Sequence, residues 1–217
     1  MSQLYQNTKN QPALTVPVRG KPDLAEASSD APAGVQRSVD QEPLWVAVSF
    51  PFLPLEALGE TAQQQPMAVY AQQGQIRRII VPNYPAQKSG IRSGMTLTAA
   101  QVLSPALHIL PQDRLAENDQ LARLALLAGH WTPMVSIAGS NLLLEVAGSA
   151  RLFGGVTQLL EQIRAWVTSE TLSPCVSVMP TPASAILCAR TGKSLCITAR
   201  EHIHAAIREL PAQTLVT

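Results

Sequence analysis

The side chains able to do chemistry in this sequence are few and scattered. Four histidines stand at His108, His130, His202 and His204. His202 and His204 are two residues apart in a helical pattern, so they point in different directions. His108 and His130 have no partner at metal-ligand spacing. The three cysteines, Cys175, Cys188 and Cys196, are widely spaced, unlike the close pairs of a structural zinc site. They suit free, buried thiols in a reducing compartment. The tetrapeptide TGKS (191–194) looks like the end of a phosphate-binding loop, but the place of that motif's first glycine is taken by Leu187. No Gly-x-Ser-x-Gly elbow and no His-Glu-x-x-His pair is present. Most acids fall in helical or loop patterns, as solvated faces require. Glu145, inside the apolar run NLLLEVA, is the exception. It reads first as a satisfied structural carboxylate and second as a catalytic acid.

The elements that must position these groups follow from composition and periodicity. The chain has 217 residues, 46% of them apolar, and a net charge of +1. A core can be buried, and no global basic field announces a nucleic-acid binder. No apolar run reaches the ~18 residues that span a membrane, and the N-terminus lacks the apolar core of a signal peptide. A cytoplasmic protein without a membrane partner is expected.

Residues 1–43 are rich in Gln, Pro, Ser, Asp and Ala, without apolar periodicity, and predict a disordered tail. From Leu44 the pattern changes. LWVAVSF (44–50) predicts a central strand, apolar on both faces, and PFLPLEAL predicts a short helix or turn. PMAVYA (66–71) and QIRRIIVP (75–82) predict two strands, YPAQKSG a short helix, TLTAAQVLSP (96–105) a helix, and ALHILP a strand. Residues 113–130 carry leucines at helical spacing, Leu115, Leu121, Leu124 and Leu127 or Ala128. PMVSIA and NLLLEVA predict a strand pair. GVTQLLEQIRAWVTSE (155–170) predicts a helix and PCVSVMP a strand. PASAILCAR (182–190) predicts a helix, SLCIT a strand and AREHIHAAIREL (199–210) a last helix. The expected class is α+β, with the split β-α-β-β-α-β order of a ferredoxin-like sheet. The sheet domain covers 44–59 and 106–217, with 60–105 as a small insert.

Four stretches together resemble the N-terminal palm-and-fingers region of Y-family DNA polymerases, the translesion enzymes: LWVAVSFPFLPLEAL, VPNYPAQKSGIRSGMTLTAAQVLSPALHILPQD, LLLEVAGSARLFGG and VSVMPTPASAILCAR. LFGG and the Pro-Thr-Pro-Ala turn are most similar to the ImuB-type proteins, polymerase-like members of a bacterial damage-induced mutagenesis cassette. The resemblance runs from residue 44 to about 210 and stops where a thumb would begin. It implies a palm for the sheet domain and fingers for the insert.

The resemblance also implies where a metal site would be. Active members hold two magnesium ions on carboxylates of the first strand and at the start of the strand that here reads SNLLLEV. With Glu56 placed on the family's glutamate, Ala47 and Ser49 occupy the first acidic pair. Ser140 and Asn141 occupy the second. Of the family's triphosphate-gripping Tyr-x-x-Arg, Tyr84 is present and Gln87 replaces the arginine. A following lysine corresponds to Lys193. The expectation is a palm without catalytic residues, metal or cofactor. It would be an adaptor in DNA repair by error-prone translesion synthesis, acting at the bacterial nucleoid. Implied partners are an error-prone replicative-type polymerase, a RecA-like mutagenesis protein and a sliding clamp, with weak affinity for damaged or primer-template DNA. The alternative is a divergent, active, magnesium-dependent DNA-directed DNA polymerase.

Overall fold

The stretch WVAVS forms strand β1 (Trp45–Ser49), and it is apolar on both faces because both faces are covered. The computed structural model describes residues 42–59, 64–170, 172–192, 194–208 and 210. All lie in the unit Arg37–Thr217. Of the expected tail, residues 1–41 lie outside the described residues, as does Lys193.

After β1 come the short helix α1 (Leu53–Glu56), β2 (Met67–Gln73), β3 (Ile76–Pro82), α2 (Tyr84–Lys88), α3 (Leu97–Leu103) and β4 (His108–Pro111). The second half runs α4 (Arg114–Ala128), β5 (Val135–Ala138), β6 (Asn141–Glu145), α5 (Val156–Ser169), β7 (Cys175–Met179), α6 (Pro182–Arg190) and α7 (Ile203–Arg208). The larger sheet has the order β5-β6-β1-β7, antiparallel throughout. With α4 leading into β5 and α5 into β7, this is the split β-α-β-β-α-β arrangement expected from the sequence.

Side chains alternate across a strand, so each face has its own cover. Val46, Val48, Leu142, Leu144, Val176 and Val178 pack against Leu121 and Leu124 of α4 and Leu159, Ile163 and Val167 of α5. The opposite face presents Ala47, Leu143 and Met179 to Ala185, Cys188 and Ala189 of α6, with Ile203 and Ile207 of α7 packed around them. Each fully buried aliphatic side chain contributes about 1.5–3 kcal/mol. Thr181 starts α6 by accepting a hydrogen bond from the Ser184 N–H. Asp113 does the same for α4, accepting from the N–H groups of Leu115 and Ala116, both at 3.0 Å.

Four expectations are corrected. The stripe expected on α4 included Leu115, which is exposed, as Leu127 partly is; the buried positions are Leu121, Leu124 and Ala128. Leu115 precedes Leu124 by two and a half helical turns, which puts it on the opposite side. SLCIT is not a strand: Cys196 makes a single bridge to Val178, with hydrogen bonds only from Val178 N to Leu195 O and from Ile197 N to Val178 O. Cys196 is also exposed rather than buried, because it sits at this loosely paired sheet edge. Finally, β4, read with the sheet domain, pairs in parallel with β2, so the smaller sheet has the order β3-β2-β4.

The smaller sheet is tied to α2 by Asn83. Its Oδ1 accepts from the N–H groups of Ala86 and Met67, and its Nδ2 donates to Gln65 O. Phe52, Leu55 and Leu58, around α1, pack with Met67 and Val69 of β2. This contact links the turn after β1 to the smaller sheet. Among the described residues no helix is long and apolar enough to cross a membrane.

Candidate functional site

The antiparallel register of β1 and β6 sets Ser49 directly opposite Asn141 and Ala47 opposite Leu143. On its other side Ser49 faces Cys175, and Ala47 faces Ser177. The turn joins the row as well, since Phe50 N–H donates to Ser140 O at 3.1 Å. Thus Ala47, Ser49 and Asn141, from two segments about ninety residues apart, share one end of one sheet face, and Ser140 sits in the turn beside it. Tyr84 and Gln87 lie on α2 of the smaller sheet. Tyr84 is exposed with Lys88 Nζ 4.7 Å from its ring centroid, and Gln87 Nε2 donates to Pro82 O.

The strand residues of the row are closed to water, whereas Ser140 in the turn is exposed. Ala47 and Asn141 are fully buried, and Ser49 nearly so. Asn141 Nδ2 donates to Ala138 O at 2.7 Å across the β5–β6 hairpin, whose Gly139 takes φ 59°. Its Oδ1 is buried with no hydrogen-bond partner among the described residues, a cost of about 1–3 kcal/mol. Ser177 Oγ donates to Ala185 O at 2.6 Å and so anchors α6 over this face. The sequence reading passed over Ser177. The alternation in CVSVM carried the signal, because it puts Cys175, Ser177 and Met179 on the face opposite the valines.

Among the described residues no carboxylate reaches the row. Glu145 pairs with Trp45 at the far end of β1, about 13 Å away at the rise of an antiparallel strand. Its Oε1 accepts from Ala147 N–H at 3.2 Å, and Thr132 Oγ1 donates to its backbone carbonyl. Glu145 is a structural carboxylate. Glu56 is another: its Oε1 accepts from Ser173 N–H at 2.8 Å, tying α1 to the segment before β7. Burial pushes the Glu56 carboxyl above its ordinary range, against the opposing pull of its hydrogen bonds with Ser173. A carboxyl raised in the fold stabilises it below the unfolded-state value of about 4.3 and loses that contribution as pH rises through the folded value. Glu56→Gln removes this dependence. Thermal melts from pH 4 to 7.5 should show the parent losing stability relative to the variant as pH rises. A constant difference between the two would refute that coupling.

Magnesium needs a shell of oxygens, and protein sites supply carboxylates to it. Alanine, a serine hydroxyl and a single buried amide oxygen supply neither the oxygen shell nor the negative charge that such an ion needs. Among the described residues no three His, Cys, Asp or Glu side chains group closely enough to hold a metal. The thiols add no nucleophile here, since burial raises Cys175 and Cys188 and leaves little thiolate.

The sequence pattern of the impB/mucB/samB family matches residues 52–190, more than half of the chain. The chain belongs to that family. A curated relative, DNA polymerase IV of Yersinia pestis (strain Pestoides F), is 27% identical over 106 residues, covering 48% of this chain and 30% of the polymerase. DinB from Sulfolobus solfataricus superposes with a TM-score of 0.63 at 20% identity, over 78% of this chain and 53% of that one. The insertion ternary complex of Dbh DNA polymerase gives 0.66 at 19% identity, over 79% and 53%. This family member therefore spans less than a third of that curated relative and about half of the solved chains. Its described part is a Y-family polymerase-like N-terminal region: the larger sheet with α4–α6 has the fold of the palm.

Proposed function

We propose that this chain is a non-catalytic, polymerase-like adaptor of the ImuB type, acting in error-prone bypass of damaged DNA. The observation that carries this reading is the sealed row at the end of β1 and β6. Ser49 and Asn141 stand opposite one another, and the resemblance to active members implies carboxylates at these positions. Nucleotidyl transfer needs its metals to activate the attacking oxygen and stabilise the leaving one. A palm without the ligands keeps the fold and loses that chemistry. In this reading the palm is a scaffold, cytoplasmic and working at the nucleoid. Its partners are an error-prone replicative-type polymerase, a RecA-like mutagenesis protein and a sliding clamp, and it has weak affinity for primer-template DNA.

A second reading, a divergent active polymerase, draws on the relatives named as DNA polymerases. Primer extension with magnesium and with manganese separates the two. The adaptor reading expects no template-dependent incorporation above background with either metal. Metal-dependent extension that follows the template sequence would overturn it.

A further inference from the structure

At the opposite end of the larger sheet from Ser49 and Asn141 lies a cavity of about 270 Å³. Its floor is apolar, built from Leu44 and Ala150, both buried, and Val156. Three polar side chains stand around it, Arg151, Thr198 and Glu42. The two opposite charges are not equivalent. Glu42 Oε2 faces Arg200 Nε at 3.9 Å, whereas the Arg151 guanidinium has no ion pair or hydrogen bond among the described residues. Among the described residues the only cation lining this cavity thus carries an unspent fork of donors, the geometry that recognises a carboxylate in two parallel hydrogen bonds. The first turn of α5 opens on the same rim behind Gly155, with no side-chain cap, and adds potential of the same sign.

An apolar floor with one free guanidinium and one hydroxyl at its edge is a small amphipathic binding site. The geometry points to a site for a short aliphatic carboxylate, presented either as the C-terminal residue of a peptide or as a free acid. The aliphatic part lies on Leu44, Ala150 and Val156, and the carboxylate meets Arg151 with Thr198 donating beside it. The volume takes a side chain of leucine size with its carboxylate. This site is independent of whether the palm catalyses, and it goes beyond the adaptor reading.

The test is a titration of the ¹⁵N-labelled full chain, followed by amide shifts. The probes are N-acetyl-leucine, N-acetyl-leucine amide, isovalerate and N-acetyl-alanyl-leucine. Saturable binding of acetyl-leucine is expected, with a Kd on the order of 1 mM and shifts centred on residues 147–156. The uncharged amide should bind about tenfold more weakly or not at all, and Arg151→Ala should cause a similar loss. Lys88→Ala, on the smaller sheet, should leave binding unchanged. Tighter binding of the dipeptide than of isovalerate identifies a peptide C-terminus, and equal binding identifies a free acid. Both outcomes support the site. No saturation at 20-fold the expected Kd (about 20 mM), equal binding of acid and amide, or retention of binding in a folded Arg151→Ala protein would overturn it. Arg151 is exposed, so its removal does not threaten folding.

Discussion

Ala47→Asp should lower the midpoint of thermal unfolding by about 6–20 °C at neutral pH, and millimolar magnesium should not restore it. The methyl group of Ala47 has no exposure to solvent. Beside it stand Leu143 and Ser177 on the neighbouring strands, and α6 covers it with Ala185 and Ala189. The Ser177 hydroxyl opposite it already donates to Ala185 O. An aspartate here is an unpaired buried charge, which costs about 3–5 kcal/mol. That is a large share of the roughly 5–15 kcal/mol that holds a domain folded. For a chain of this size each kcal/mol moves the midpoint by about 2–4 °C. A functional metal site would behave differently, because an ion bound only to the folded state stabilises it by mass action. Calorimetry with and without magnesium decides the matter. An Ala47→Asp protein as stable as its parent, or one rescued by the metal, would show a face open to ions and a site far more intact than the scaffold reading allows. Adding Ser49→Asp should give no primer extension, because Gln87 and the β6 start remain uncharged where the resemblance to active members implies charged groups.

Asn141→Asp tests the same face from the other strand, and its signature is pH. The substitution keeps the shape but replaces the Nδ2 donor to Ala138 O by an oxygen that repels that carbonyl. At neutral pH the buried carboxylate should cost about 2–4 kcal/mol. The folded protein prefers the protonated acid, whose O–H can donate to Ala138 O, so the carboxyl is raised in the fold. A raised carboxyl contributes its stability below the unfolded value of about 3.9 and loses it as pH rises through the folded value. Denaturant melts should therefore bring the variant close to its parent near pH 4 and leave it far below at pH 7.5. Equal stability at pH 7.5 would mean that Asn141 is not sealed from water.

Much of the architecture was legible because local patterns carry it. The doubly apolar WVAVS announced a central strand. Leucines at helical spacing announced the helix of residues 113–130, and the apolar runs PMVSIA and NLLLEVA announced a strand pair. The failures share one physical cause. Leu115 looked like core by residue type, and only its angular offset from Leu124 put it in solvent. SLCIT had strand composition, but a strand needs a partner along its length, and the sheet edge offers Cys196 a single bridge. The parallel pairing of β4 with β2 is a contact between distant segments with no local signature.

The sequence by itself determined the order of strands and helices, the membership in the impB/mucB/samB family and the uncharged residue types at Ala47, Ser49, Ser140 and Asn141. Those are statements about residue types along one chain. Only the tertiary structure decided that Ser49 and Asn141 are cross-strand neighbours, that α6 seals Ala47 from water, and that Glu145 lies too far along the sheet to help. Register and burial arise from pairings between segments remote in sequence, and they determine whether a missing carboxylate leaves an open site or a closed core. Here the face is closed.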